Sequence, residues 1–250
     1  MKDNELKEFL DFKANQYESS EFIKSDPIQI PHQFSQKEDI EITAFLMATI
    51  AWGNRKSIIA NGHKLLAIMG NSPYDFVMNY DSKKEISFVH RTFNSEDLDF
   101  FFRGLNQIYK NGGLEKAFSV HSDFTELKGR IYNFRTQFLS TEHQSRTQKH
   151  VSNPMANSAC KRLIMFLRWM VRDSKKGVDF GIWNSISASE LYIPLDVHTG
   201  NIARKLGLLS RTQNDWTTNE ELILKLREFD SEDPAKYDFA LFGLGAFEKL

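Results

Sequence analysis

The chain has 250 residues, 41% of them apolar and 26% charged, with a formal net charge of −1; this length supports a buried core, and the near-neutral balance does not by itself announce a polyanion partner. One cysteine, Cys160, excludes an internal disulfide and any zinc or iron–sulfur site built from four cysteines of this chain. No run approaches the roughly 20 apolar residues of a bilayer span, and the charged opening "MKDNELKEFLDFKANQY" has no apolar signal region, so a cytoplasmic protein with no membrane partner is expected.

In chain order the pattern is helical. "DIEITAFLMATIAW" (39–52) is mostly apolar with acids at its start, where the helix dipole favours them. "NRKSIIANGHKLLAIMG" (54–70) carries apolar residues at 58, 59, 65, 66 and 69 and a stop at Gly70. "SEDLDFFFRGLNQIYKNGG" (95–113) opens on a Ser cap and acids. Further helices are expected over 123–139, 157–172, 217–229 (capping-box spacing from Thr218 to Glu221) and 233–247, with polar linkers at 140–154 and 173–181. The fold class is all-α.

Charge is segregated. Residues 128–176 hold eleven Lys or Arg and two acids, a local +9 that leaves −10 for the rest. Within this stretch Lys161, Arg168 and Arg172 fall on one narrow stripe of the helix at 157–172, at about 100° per residue. The remaining faces carry Leu163, Ile164, Phe166, Leu167, Met170 and Val171. Cations on a mostly buried helix need anionic partners, which either protein carboxylates or nucleic-acid phosphates would supply. The seven histidines show no metal-ligand spacing, so no metal and no cofactor is expected.

After the helix at 157–172, "LYIPLDVHTGNIARKLGLL" (191–209) places a lone acid, Asp196, directly before an amphipathic basic helix. Locally this is an N-cap. The segment also resembles the stretch of helix-hairpin-helix (HhH-GPD) DNA glycosylases that carries their catalytic aspartate, through Pro194, Asp196, His198, Ile202, Arg204, Leu206 and Gly207. "FALFGLGAF" (239–247) resembles the A-L-x-x-L-G-A element of mismatch adenine glycosylases. "ITAFLMATIAWGNRKSIIANGHKLL" (42–66) is similar to the early helix pair whose turn approaches DNA, and Lys161 in "SACKRLIMFL" stands where the catalytic lysine does. The chain is also similar to an uncharacterised bacterial family known only as a domain of unknown function. It departs from the glycosylase pattern in lacking the glycine-rich hairpin before the lysine, in a 35-residue Lys161–Asp196 separation, and in having no four-cysteine cluster.

The resemblance implies two helical lobes without an iron–sulfur cluster. A central lobe would span 37–160, and a second would combine 1–36 with 161–250. The cleft between them would carry Lys161 as amine nucleophile and Asp196 as the carboxylate that stabilises an oxocarbenium-like sugar. Arg162 and the 168/172 stripe would favour the neutral amine. Trp52, Asn54 and Arg55 at the interhelical turn would enter duplex DNA beside a damaged base, with Arg162, Arg168, Arg172, His198 and Arg204 as further DNA contacts. The expected activity is excision of a modified base, with strand nicking through Lys161. The alternative is a binding module that keeps the fold and breaks no bond.

Overall fold

The computed structural model describes residues 3–83, 85–119, 126–173 and 175–248. Its helices are α1 (Asp3–Tyr17), α2 (Ser20–Ser25), α3 (Lys37–Ile50), α4 (Arg55–Ile68), α5 (Pro73–Met78), α6 (Ser95–Lys110), α7 (Gly113–Ala117), α8 (Leu127–Phe138), α9 (Lys161–Val171), α10 (Val197–Lys205), α11 (Trp216–Phe229) and α12 (Tyr237–Ala246). One two-stranded hairpin, β1 (Val89–His90) and β2 (Phe93–Asn94), is the sheet among the described residues, so the fold is all-α. No described helix is long and apolar enough to cross a membrane. The chain forms two compact units, Ile23–Ser152 and Met1–Phe22 with Asn153–Leu250.

The unit of residues 23–152 is built on α3, which is buried from Ile40 to Ile50. Its phenylalanines form the core: Phe45 stacks on Phe101 at 5.6 Å and meets Phe134 and Phe138 edge-on at 5.5 Å. Phe138 comes so close to α6 that a Cβ on Gly104 would lie 2.8 Å from its ring. Gly70, at φ +61°, stops α4 as its position suggests. The start of α6 differs from the Ser-cap expectation. Asn94 is the cap, in a capping box with Asp97, while the Ser95 hydroxyl donates to the Phe88 carbonyl. The expected helix at 123–139 is seen as α8, and positions 123–125 lie outside the described residues. The polar stretch 140–154 is not a free linker: Thr147 and His150 within it are buried.

In the other unit, charged residues cover most of α1, yet Leu6, Leu10 and Ala14 recur every fourth residue and are buried with Ile202, Leu222 and Leu244. α9 starts at Lys161, not 157, because Asn157 (φ +59°) and Cys160 (φ +49°) adopt left-handed backbone. α11 starts one residue early: Asp215 caps it by accepting from the Thr218 amide at 2.9 Å, while Glu221 accepts instead from the Ser210 amide at 2.6 Å. The glycines of "LFGLGAF" let neighbours approach α12. The Tyr17 ring of α1 lies over Gly243, and His198 and Ile202 of α10 pack against Gly245.

Candidate active site

The residues that resemblance singled out as catalytic both lie in the unit that contains α9 to α12. Lys161 is the first residue of α9 and half-buried. Its Nζ lies 3.6 Å from Met165 Sδ, and it forms no ion pair with any described residue. Asp196 is half-buried and is the cap of α10, accepting the Thr199 amide at 3.0 Å. The backbone carbonyl of Asp196 accepts from Asn214 Nδ2 at 3.0 Å, and Asn214 Oδ1 in turn accepts from Arg204 Nη2 at 2.6 Å. Arg204 also donates to the carbonyls of Arg211 and Gln213. Its guanidinium, half-buried, is thus engaged with the loop that fixes Asp196.

A second acid, Asp238 of α12, joins this pair. It is buried, accepts a hydrogen bond from Arg168, and lies within electrostatic range of both Lys161 and Asp196. Burial, with the charges of Asp196 and Asp179 adding to it, pushes its carboxyl up to about 6 against the opposing charges of Arg168 and Lys161. Asp238 is not among the expected site residues, although an acid inside the most apolar segment of the chain, "YDFALFGLGAF", is a signal for it.

Arg168 and Arg172 are 3% and 4% exposed, too deep for a phosphate to reach, and this corrects their assignment to DNA. Their partners are carboxylates. Arg168 reaches Asp179 at 3.3 Å as well as Asp238. Arg172 holds Asp233 through Nε at 2.8 and 2.9 Å, Glu18 through both terminal nitrogens, and Asp179 at 3.2 Å. Both guanidiniums cover the Phe239 ring, at 4.4 and 5.4 Å. Two cations thus face four acids. Burial raises the carboxyls of Asp179 and Asp233, and the hydrogen bonds of Glu18 and Asp233 carry Arg172 above its ordinary value despite burial. Lys161, by contrast, is the stripe member left without a carboxylate. Arg162 is half-buried beside it, and His198 is exposed on the first turn of α10.

In the unit of residues 23–152, Trp52 lies in the turn between α3 and α4, half-buried, edge-on to His90 at 5.0 Å and stacked on His150 at 5.9 Å. Asn54 caps α4 by accepting from the Ser57 amide at 3.2 Å, and Arg55 opens that helix. Among the described residues no three His, Cys, Asp or Glu side chains are gathered as a metal ion would require.

These features define an all-α protein with an amine and two carboxylates grouped in one unit and an aromatic turn in the other. Residues 26–247 match the family described as protein of unknown function (DUF2400), and the chain belongs to that family. No curated protein and no solved structure matches it.

Proposed function

We propose that this protein is a DNA glycosylase that removes a modified base from duplex DNA, with Lys161 as the nucleophile and Asp196 as the carboxylate that stabilises the sugar cation. The observation that carries this reading is that the buried acid Asp238 lies within electrostatic range of both Asp196 and Lys161, and that Lys161 forms no ion pair with any described residue. The likeness of "PLDVH", "SACKRL" and "LGA" to helix-hairpin-helix glycosylases supports it. In the reaction, neutral Lys161 Nζ attacks C1′ as the C1′–N bond breaks, and the electron pair leaves with the base, which takes up a proton. Loss of a proton from Nζ and opening of the sugar ring then give a Schiff base, with the ring oxygen protonated. In this reading the turn bearing Trp52, Asn54 and Arg55 is a further contact with the duplex.

The test is borohydride trapping on duplexes carrying a panel of damaged bases. Wild type is expected to give a covalent adduct on at least one lesion, Lys161→Gln none, and Asp196→Asn a strongly slowed one. Adduct formation that survives Lys161→Gln removes it as the nucleophile. Duplex binding with neither adduct nor base release on any lesion replaces this reading with the binding module.

A further inference from the structure

Arg91 sits at the tip of the β1–β2 hairpin, the first of two turn residues between His90 and Phe93, in left-handed backbone at φ +55°. Two-residue hairpin turns favour positive φ there, and normally assign it to glycine or asparagine. An arginine in this place carries backbone strain, and strain of this kind gathers at functional sites. Arg91 is exposed, and it makes no hydrogen bond or ion pair with any described residue. Arg103, Arg146, Arg168, Arg172 and Arg204 all have internal acceptors.

The tip is nevertheless held firmly. Arg146 donates to the Thr92 carbonyl at 2.7 Å while its other terminal nitrogen holds buried Asp97 at 3.0 Å. His90 Nε2 donates to the Trp52 carbonyl at 3.1 Å, tying the hairpin to the α3–α4 turn, and its Nδ1 accepts from Asn61 at 2.8 Å. Burial lowers the His90 value, in keeping with this neutral tautomer. The Arg91 side chain lies across Gly53, where a Cβ would be 3.1 Å from its Cδ and Nη1, and Gly53 is itself at φ +101°. An uncompensated guanidinium and the half-buried indole of Trp52 are thereby presented by two neighbouring loops that are hydrogen-bonded together.

We infer that the β1–β2 hairpin is a second DNA-contacting finger beside the Trp52 turn, and that Arg91 clamps a backbone phosphate of the bound duplex. The inference rests on the reading that this turn meets DNA. A guanidinium matches phosphate oxygens in geometry and charge.

Fluorescence anisotropy on a labelled duplex with a central abasic-site analogue, from low to physiological salt, tests it. Arg91→Gly suits the left-handed backbone, so its unfolding midpoint is expected to equal or exceed that of wild type. Its affinity should fall about tenfold, and its log–log salt slope should become shallower by about one. Arg91→Lys should restore the slope. If wild type binds and Arg91→Gly changes neither affinity nor slope, or changes affinity with the slope intact, the hairpin finger is wrong while the DNA reading stands. If wild type binds no duplex, both fall. If Arg91→Gly behaves as expected but no base is ever released, the finger stands and the glycosylase reading falls.

Discussion

The amide of Asn214 donates to the backbone carbonyl of Asp196 at 3.0 Å, in a space that exists because residue 200 is glycine: a Cβ there would lie 2.5 Å from Asn214 Oδ1. Asp196 is thus held at both ends, by the Thr199 amide on its carboxylate and by Asn214 on its backbone. Asn214→Ala and Gly200→Ala should therefore behave alike. Each is expected to cost about 1–2 kcal/mol of stability and to slow borohydride trapping by up to about a hundredfold through misplacement of the carboxylate. Thermal unfolding and trapping rates on one lesion check this. Variants that lose stability while trapping at the wild-type rate would show that Asp196 needs no such anchor.

Arg172→Met should be among the most damaging single changes in the protein. It strips Glu18, Asp179 and Asp233 of their shared cation, and leaving buried charge uncompensated costs about 3–5 kcal/mol. Urea unfolding at neutral pH measures the loss. Adding Glu18→Gln should recover part of it, because one stranded charge is then gone. A fully additive double variant would mean that the two side chains are not coupled.

Much of the helical framework was legible from periodicity and stop signals, as Gly70 and the apolar run of α3 show. What was not legible has physical reasons. α1 buries only one narrow stripe, so its charges hid it. The start of α9 depends on left-handed Asn157 and Cys160, which no propensity anticipates. The +9 segment looked like a polyphosphate face because its counter-charges, Glu18, Asp97, Asp233 and Asp238, lie outside that segment of the chain. Lys161 and Asp196 could be named from resemblance, but Asp238 and Asn214, which act on them, are brought there only by the packing of α12 and of the loop before α11.

Stability should rise as the solution is taken from neutral to mildly acid pH. Asp238 is at about 6 in the folded protein against an ordinary 3.8. The folded state binds this proton more tightly, so the contribution is complete below 3.8 and is lost as pH rises through 6, amounting to about 3 kcal/mol. Asp179 and Asp233 are raised by burial and act in the same direction. His90, lowered by burial, acts oppositely as pH falls through its ordinary 6.5. So do Asp215 and Glu221, lowered chiefly by the amides of Thr218 and Ser210, with Asp11 and Asp230, their stabilisation being lost as pH falls below the ordinary carboxylate range. Three raised acids against one histidine set the sign above that range. The optimum should therefore lie on the acid side of neutral. Urea midpoints across this range check it, and Asp238→Asn should flatten the slope. A wild-type stability that falls steadily from neutral pH downward would contradict the assignment.

Gly243 offers a test in which the sign of the effect reverses. A Cβ at this position in α12 would lie 2.1 Å from Tyr17 Cδ2 and 2.4 Å from its Cγ, ring atoms close to the α1 backbone and unable to swing aside. Gly243→Ala should therefore push α1 outward and cost about 1–3 kcal/mol. In a Tyr17→Ala background the obstruction is gone, and only the higher helix propensity of alanine remains, a gain of up to about 1 kcal/mol. The same substitution should then stabilise. Thermal unfolding of the four proteins in this double-mutant cycle gives both signs, and a cost that persists without Tyr17 would mean that another neighbour, not α1, requires the glycine.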